Sequence, residues 1–290
     1  MNPATVPPIR PEYENVLEPF TEAPVARERQ LSNRLLSNEW VRKGLILFVL
    51  MLGWEIFARL QDNDLLFPTF SATLRAFAED LASGELIAKT GISLKILLQG
   101  YLGGAVAALV LTTLAVSTRT GRDVLSILTS MFNPLPAIAL LPLALLWFGI
   151  GQNSLIFVLA HSVLWPLALS MYSGFQGVPQ TLRMAGRNYG LSGIPYVLQV
   201  LVPAALPAIL SGLKIGWAFA WRTLIAAELV FGASSGNGGL GWYIFQNRNE
   251  LMTDKVFAGL ATVILIGLIV ENFVFRTLER ITVRRWGMQQ

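Results

Sequence analysis

From Val124 to Leu182 the chain runs for 59 residues without a single Asp, Glu, Lys or Arg. An ordinary soluble domain is about one quarter charged, so no water-exposed fold accommodates such a stretch. A hydrocarbon core about 30 Å thick takes roughly 20 apolar helical residues to cross, and this run is long enough for two crossings. Its one polar break, Gly149-Ile150-Gly151-Gln152-Asn153, marks the turn of a hairpin. The pattern extends to the whole molecule, which is 53% hydrophobic and only 14% charged over 290 residues.

These windows predict an all-α membrane protein with six transmembrane helices, at 44–60, 92–116, 124–150, 154–175, 203–231 and 256–275. Residues 1–40 lie outside them. Six of the fifteen prolines fall in the first 24 positions, without apolar periodicity, and predict a disordered Pro-rich cytoplasmic tail ahead of a membrane domain over 41–290. The tail lacks a basic segment leading into an apolar core and a small-residue cleavage site, so the first span is expected to stay uncleaved. Basic loops stay in the cytoplasm. Placing the amino terminus inside puts 14 of the 22 Lys and Arg on the inner face, 5 on the outer face and 3 within spans, with both termini cytoplasmic.

Much chemistry is excluded. There is no cysteine and one histidine, which rules out thiolate and multi-histidine metal sites. No Gly-x-x-x-x-Gly-Lys-Ser/Thr run is present, so the chain has no phosphate loop for ATP. Gly236-Asn237-Gly238-Gly239-Leu240-Gly241 matches a dinucleotide pattern but follows a membrane span rather than a strand, and tight turns are the better reading. Ionisable residues within spans (Glu55, Lys95, His161, Lys214, Arg222, Glu228, Glu271) are scattered over five helices, with no catalytic pair in reach. No cofactor, metal or enzymatic role is expected. The net charge of +4 comes from residues at the ends of spans rather than a solvated stripe, so no nucleic-acid partner is expected and membrane lipid is.

Several features bear on packing and passage. Gly100/Gly104 and Gly212/Gly216 let helix backbones approach, within or between subunits. Pro134, Pro136, Pro142 and Pro166 remove backbone donors and bend helices. Residues 68–88 predict a short outer amphipathic helix with Phe70, Leu74, Phe77 and Leu81 on one face, either lying on lipid or docking a partner. Arg222 lies about 8 Å and His161 about 3 Å outward of the centres of their spans, which makes them potential neighbours. Arg222 either pairs with Glu55, Glu228 or a freed carbonyl, or meets an anion; His161 either makes an interhelix hydrogen bond or lines the pathway. Lys214, near the cytoplasmic end, is expected to snorkel.

The loop over 176–202 carries a further signal. Pro179 opens and Gly190 closes a short helix. Leu182, Ala185, Gly186 and Tyr189 fall on one small-residue face, with Arg183 and Arg187 on another. Such a helix either floats on lipid or plugs into a groove on a soluble partner. Met184-Ala185-Gly186-Arg187-Asn188-Tyr189-Gly190, nine residues, then Val200-Leu201-Val202-Pro203 resembles the EAA loop of ATP-binding cassette importer permeases, with Met184 in place of Glu and Gly186 in place of the second Ala. Leu141-Pro142-Leu143-Ala144-Leu145-Leu146-Trp147-Phe148-Gly149-Ile150-Gly151, Asn188-Tyr189-Gly190-Leu191-Ser192-Gly193-Ile194-Pro195, and Ala226-Ala227-Glu228-Leu229 with Gly238-Gly239-Leu240-Gly241 resemble the nitrate, sulfonate, taurine and bicarbonate importers.

The resemblance implies a type I importer permease fold in a bacterial inner membrane. It implies partnership with an ABC ATPase dimer, a periplasmic substrate-binding protein and a second permease copy as a homodimer, and import of a small anion. It assigns coupling to the ATPase to Leu182, Arg183, Met184, Ala185, Gly186, Arg187, Tyr189, Gly190 and Pro203. His161, Arg222 and Glu228 are the expected pathway residues. Two rivals remain: an ion-coupled secondary transporter, which usually shows repeated halves that this sequence lacks, and a membrane enzyme built on Glu55, His161 and Glu228.

Overall fold

The computed structural model describes residues 39–231 and 238–284. Of the tail expected over 1–40, residues 1–38 lie outside them while Glu39 and Trp40 already belong to a helix; residues 285–290 and 232–237 of the glycine-rich segment also lie outside. The chain divides into two units, Met1–Leu50 and Met51–Gln290. Within the first, the described part is residues 39–50, the start of α1 (Glu39–Gln61), where Lys43 pairs with Glu39 at 2.5 Å and the apolar side chains are exposed.

Every regular element among the described residues of the second unit is a helix. After α1 come α2 (Phe70–Ala82), α3 (Glu85–Ser117), α4 (Arg119–Phe132), a tight turn of helix at Ala137–Leu140, α5 (Leu141–Phe148) and α6 (Gln152–Gln176). They are followed by α7 (Gln180–Asn188), α8 (Gly193–Ala204), α9 (Leu206–Phe231), α10 (Leu240–Asn249) and α11 (Thr253–Thr282). α3, α6 and α11 are long and apolar enough to cross a membrane, and two bent pairs raise the candidate spans from three to five.

The bent pairs are where continuous spans were expected. The 124–150 window is broken by 90° between α4 and the Ala137–Phe148 segment. Pro134 and Pro136 offer no backbone N–H there, and Pro136 is extended at ψ 121°. The 203–231 window begins instead in α8, already helical from Gly193, and turns by 82° at Ala205 between Pro203 and Pro207. The expected connector thus holds two helices rather than one. Pro166, in contrast, lies inside an uninterrupted α6.

α6 sits between α3 and α9, and glycine faces make that possible. A methyl group on Gly104 would lie 2.5 Å from the Ala160 carbonyl oxygen, and one on Gly212 would lie 2.6 Å from Ser170 Cβ. Gly100 faces Leu159 and Gly216 faces Val163 in the same way, so both glycine pairs pack within the chain on a single helix. The Tyr101 hydroxyl donates to the Leu213 carbonyl at 2.9 Å, tying α3 to α9 directly.

α2 forms as the periodicity predicts, with Thr69 accepting from the Ala72 N–H at its start, but it turns a different face inward. Leu74 and Leu81 are exposed, whereas Thr73, Ala76 and Asp80 are buried. Asp80 explains the rotation: it accepts from the Tyr243 hydroxyl of α10 and pairs with Lys255 of α11 at 3.0 Å. Burial and the Asp80 contact hold the Tyr243 phenol well above its ordinary pKa, so it stays a donor. Lys214 does not simply snorkel but pairs with Glu271 at 3.0 Å, joining α9 to α11.

Candidate functional site

The break between α4 and α5 opens a cavity of about 690 Å³ against α6 and α9. Phe132 and the Asn133–Ile138 turn form one wall, His161, Trp165 and Leu169 a second, and Ile215, Phe219 and Arg222 a third. Phe132 stacks on Trp165 with ring centroids 5.4 Å apart and meets His161 edge-on at 6.0 Å. The Arg222 guanidinium lies 5.7 Å from the Phe219 ring centre. The cavity is therefore apolar with a few polar groups, the usual make-up of a small-molecule site.

Those polar groups are uncommitted. Both ring nitrogens of His161 and the Trp165 indole N–H are shielded from solvent and lack a hydrogen-bond partner among the described residues. Arg222 has no ion pair among them either. Its two expected carboxylates are engaged elsewhere: Glu55 with Arg59 and Ser71, Glu228 with Ser93 and Gly241. The structure thus brings His161 and Arg222 to one cavity, which the depth argument anticipated. It also adds Trp165 and Phe132 to the lining, which their spacing on apolar helices gave no sign of.

Glu228 is not part of that lining. It is 1% exposed on α9, and its carboxylate accepts from the Ser93 hydroxyl of α3 and from the Gly241 N–H at 2.8 Å. Ser93 in turn accepts from the Leu240 N–H at 2.8 Å. Two of the free N–H groups at the start of α10 are satisfied in this way, beside the positive end of its dipole. Gly239 has to be glycine here, since a methyl group would overlap both Ser93 and Glu228.

α7 is built as the sequence suggests, then oriented in a way it does not reveal. Pro179 precedes the helix, and Gly190 ends it at φ +76°, with the Gly190 N–H on the Arg187 carbonyl at 2.9 Å and the Leu191 N–H on the Gly186 carbonyl at 3.1 Å. Gly186 faces inward, where a methyl group would come 2.8 Å from Val200, so it separates from the outward-facing Leu182, Ala185 and Tyr189. Met184 and Arg187 are also exposed. Arg183 turns back: its Nε donates to the Val178 carbonyl at 3.1 Å and its Nη2 to the Phe175 carbonyl at the end of α6. Pro203 lies within α8, just before the bend.

Residues 100–286, more than half of the chain, match the model of the binding-protein-dependent transport system inner membrane component family. The chain belongs to this family of permeases. It is 31% identical to a putative ABC transporter permease protein of Methanocaldococcus jannaschii, over 84% of this chain and 92% of the relative. It is 33% identical to the putative aliphatic sulfonates transport permease SsuC of Escherichia coli, over 75% and 81%, and 27% identical to the nitrate import permease NrtB of a Synechocystis strain, over 86% and 91%. As a permease component it is a non-catalytic, multi-pass inner-membrane subunit whose family works with an ATPase and a binding protein. The matched region holds α6, α7, α8 and α9, so the permease's cavity and its short surface helix both lie in the family portion.

Proposed function

We propose that this permease forms the translocation pathway of an importer for a small organic anion, working as a pair of identical chains with six spans each and both termini in the cytoplasm. The observation that carries the anion is the cavity itself, where the exposed Arg222 guanidinium meets apolar walls and the His161 and Trp165 nitrogens beside it have no partner among the described residues. An anion in a low-dielectric region needs such groups. The volume of about 690 Å³ and the Phe132, Trp165 and Phe219 walls suit a solute with an apolar body, such as a sulfonate or organic acid, better than a bare inorganic ion. Glu228 acts beside the pathway, as the fastening of α10.

α7 is the piece that receives force from the ATPase. Its outward Leu182, Ala185 and Tyr189 suit a groove on a partner, and Tyr189 is 86% exposed. Arg183 and Gly186 hold the same helix onto α6 and α8, so a push on α7 passes to both. Expressed with its ATPase and binding protein in vesicles, Ala185→Glu should hydrolyse ATP without uptake. Gly190→Pro should do the same, because proline cannot adopt φ +76°. Normal ATP-driven uptake by both variants would overturn the coupling assignment.

A further inference from the structure

We propose that a second cavity, between the end of α3 and the α7–α8 corner, is a binding site for a phosphate-type oxyanion. The cavity measures about 480 Å³ and is lined by Val116 and Ser117 of α3, Arg183 and Arg187 of α7, the Gly190–Gly193 turn, and Tyr196 and Val197 of α8. No carboxylate is in that lining. The whole stretch from 176 to 204 contains no Asp or Glu, so nothing on α7 or α8 neutralises the two arginines.

The donors on these walls are in surplus. Arg187 makes no ion pair or hydrogen bond among the described residues. Arg183 spends Nε and Nη2 on the carbonyls at the end of α6, which fixes its guanidinium in place and leaves Nη1 without a partner among them. Tyr196 contributes its ring to the wall, and its hydroxyl lies behind that wall, shielded from solvent. Ser192, immediately before α8, makes no cap bond with its side chain. A ligand meeting two guanidinium groups and the Ser192 hydroxyl needs several acceptor oxygens and negative charge, which a phosphate group supplies and a neutral solute does not.

Two sources offer this chemistry: the headgroup of an anionic phospholipid and free inorganic phosphate. Either would bridge the end of α3 to the force-receiving helix and favour their present disposition. The cytoplasmic exposure of the pocket and the force-receiving role of α7 rest on the function proposed above. The test reads binding on the permease chain without its ATPase, so its outcome is separate from that of the coupling variants.

The full chain in phosphatidylcholine nanodiscs is titrated with inorganic phosphate by phosphorus NMR relaxation. In parallel, chain reconstituted with phosphatidylglycerol is examined by native mass spectrometry after detergent release. Saturable phosphate binding at or below about 1 mM identifies the free anion, and retained phosphatidylglycerol identifies the lipid. In whichever arm binds, Arg187→Gln should weaken binding by at least about tenfold, and Ser192→Ala, which removes one hydroxyl from the wall, by about two- to tenfold. Absence of binding in both arms, or binding unchanged in both variants, overturns the proposal.

Discussion

Arg222 and Glu228 stand six residues apart on α9, about 9 Å along its axis, and their surroundings could hardly differ more. Glu228 is sealed in, with its carboxylate shared between Ser93 and the first turn of α10. Arg222 opens on a cavity whose other polar groups, on His161 and Trp165, are equally unspoken for. Native structures satisfy almost all their buried polar groups. The satisfied Glu228 therefore belongs to the framework, whereas Arg222 is exposed at the cavity and the ring nitrogens of its neighbours His161 and Trp165 are buried without a partner among the described residues.

Four measurements bear on that contrast. Glu228→Ala strands the Ser93 hydroxyl and the Gly241 N–H and should cost about 2–4 kcal/mol, read as an earlier thermal unfolding midpoint in detergent together with low membrane yield. A variant with native melting and no uptake would instead put Glu228 with the pathway. Arg222→Ala should leave unfolding unchanged while uptake falls about 10- to 100-fold, the worth of a hydrogen-bonded charge on the solute. Should it melt early, the contrast between the two charges fails. Gly239→Ala, which drives a methyl group against Ser93 and Glu228, should destabilise by about 1–3 kcal/mol without altering the apparent solute affinity of the protein that survives. Trp165→Phe keeps the stack on Phe132 but removes the indole N–H; uptake should fall about 2- to 10-fold at low solute concentration, and no change would remove Trp165 from the solute's partners.

How far these roles could be read from sequence depends on the kind of signal each leaves. The spans of α3, α6 and α11 were legible because lipid imposes a one-dimensional rule of length and apolarity. The limits of α7 were legible for a local reason, since Pro179 and Gly190 act through their own backbone. The two sharp bends were only half legible. Proline predicts an interruption, yet whether a helix breaks, as at Pro134 and Pro136, or carries on, as at Pro166, is decided by neighbouring elements. Least legible were partnerships across the chain. Ser93 lies 135 positions from Glu228, and Asp80 lies 163 from Tyr243. Arg183, seen alone, is one more exposed cation; only the folded chain shows it gripping the end of α6.

The glycine contacts on both flanks of α6 separate two tasks along one helix. Leu159, Ala160 and Val163 face the stems they are wedged against, while His161 and Trp165 face the hollow. Substitutions at the latter pair would thus reshape the hollow without loosening the wedge. The lining of the hollow and the seating of the helix can therefore change independently.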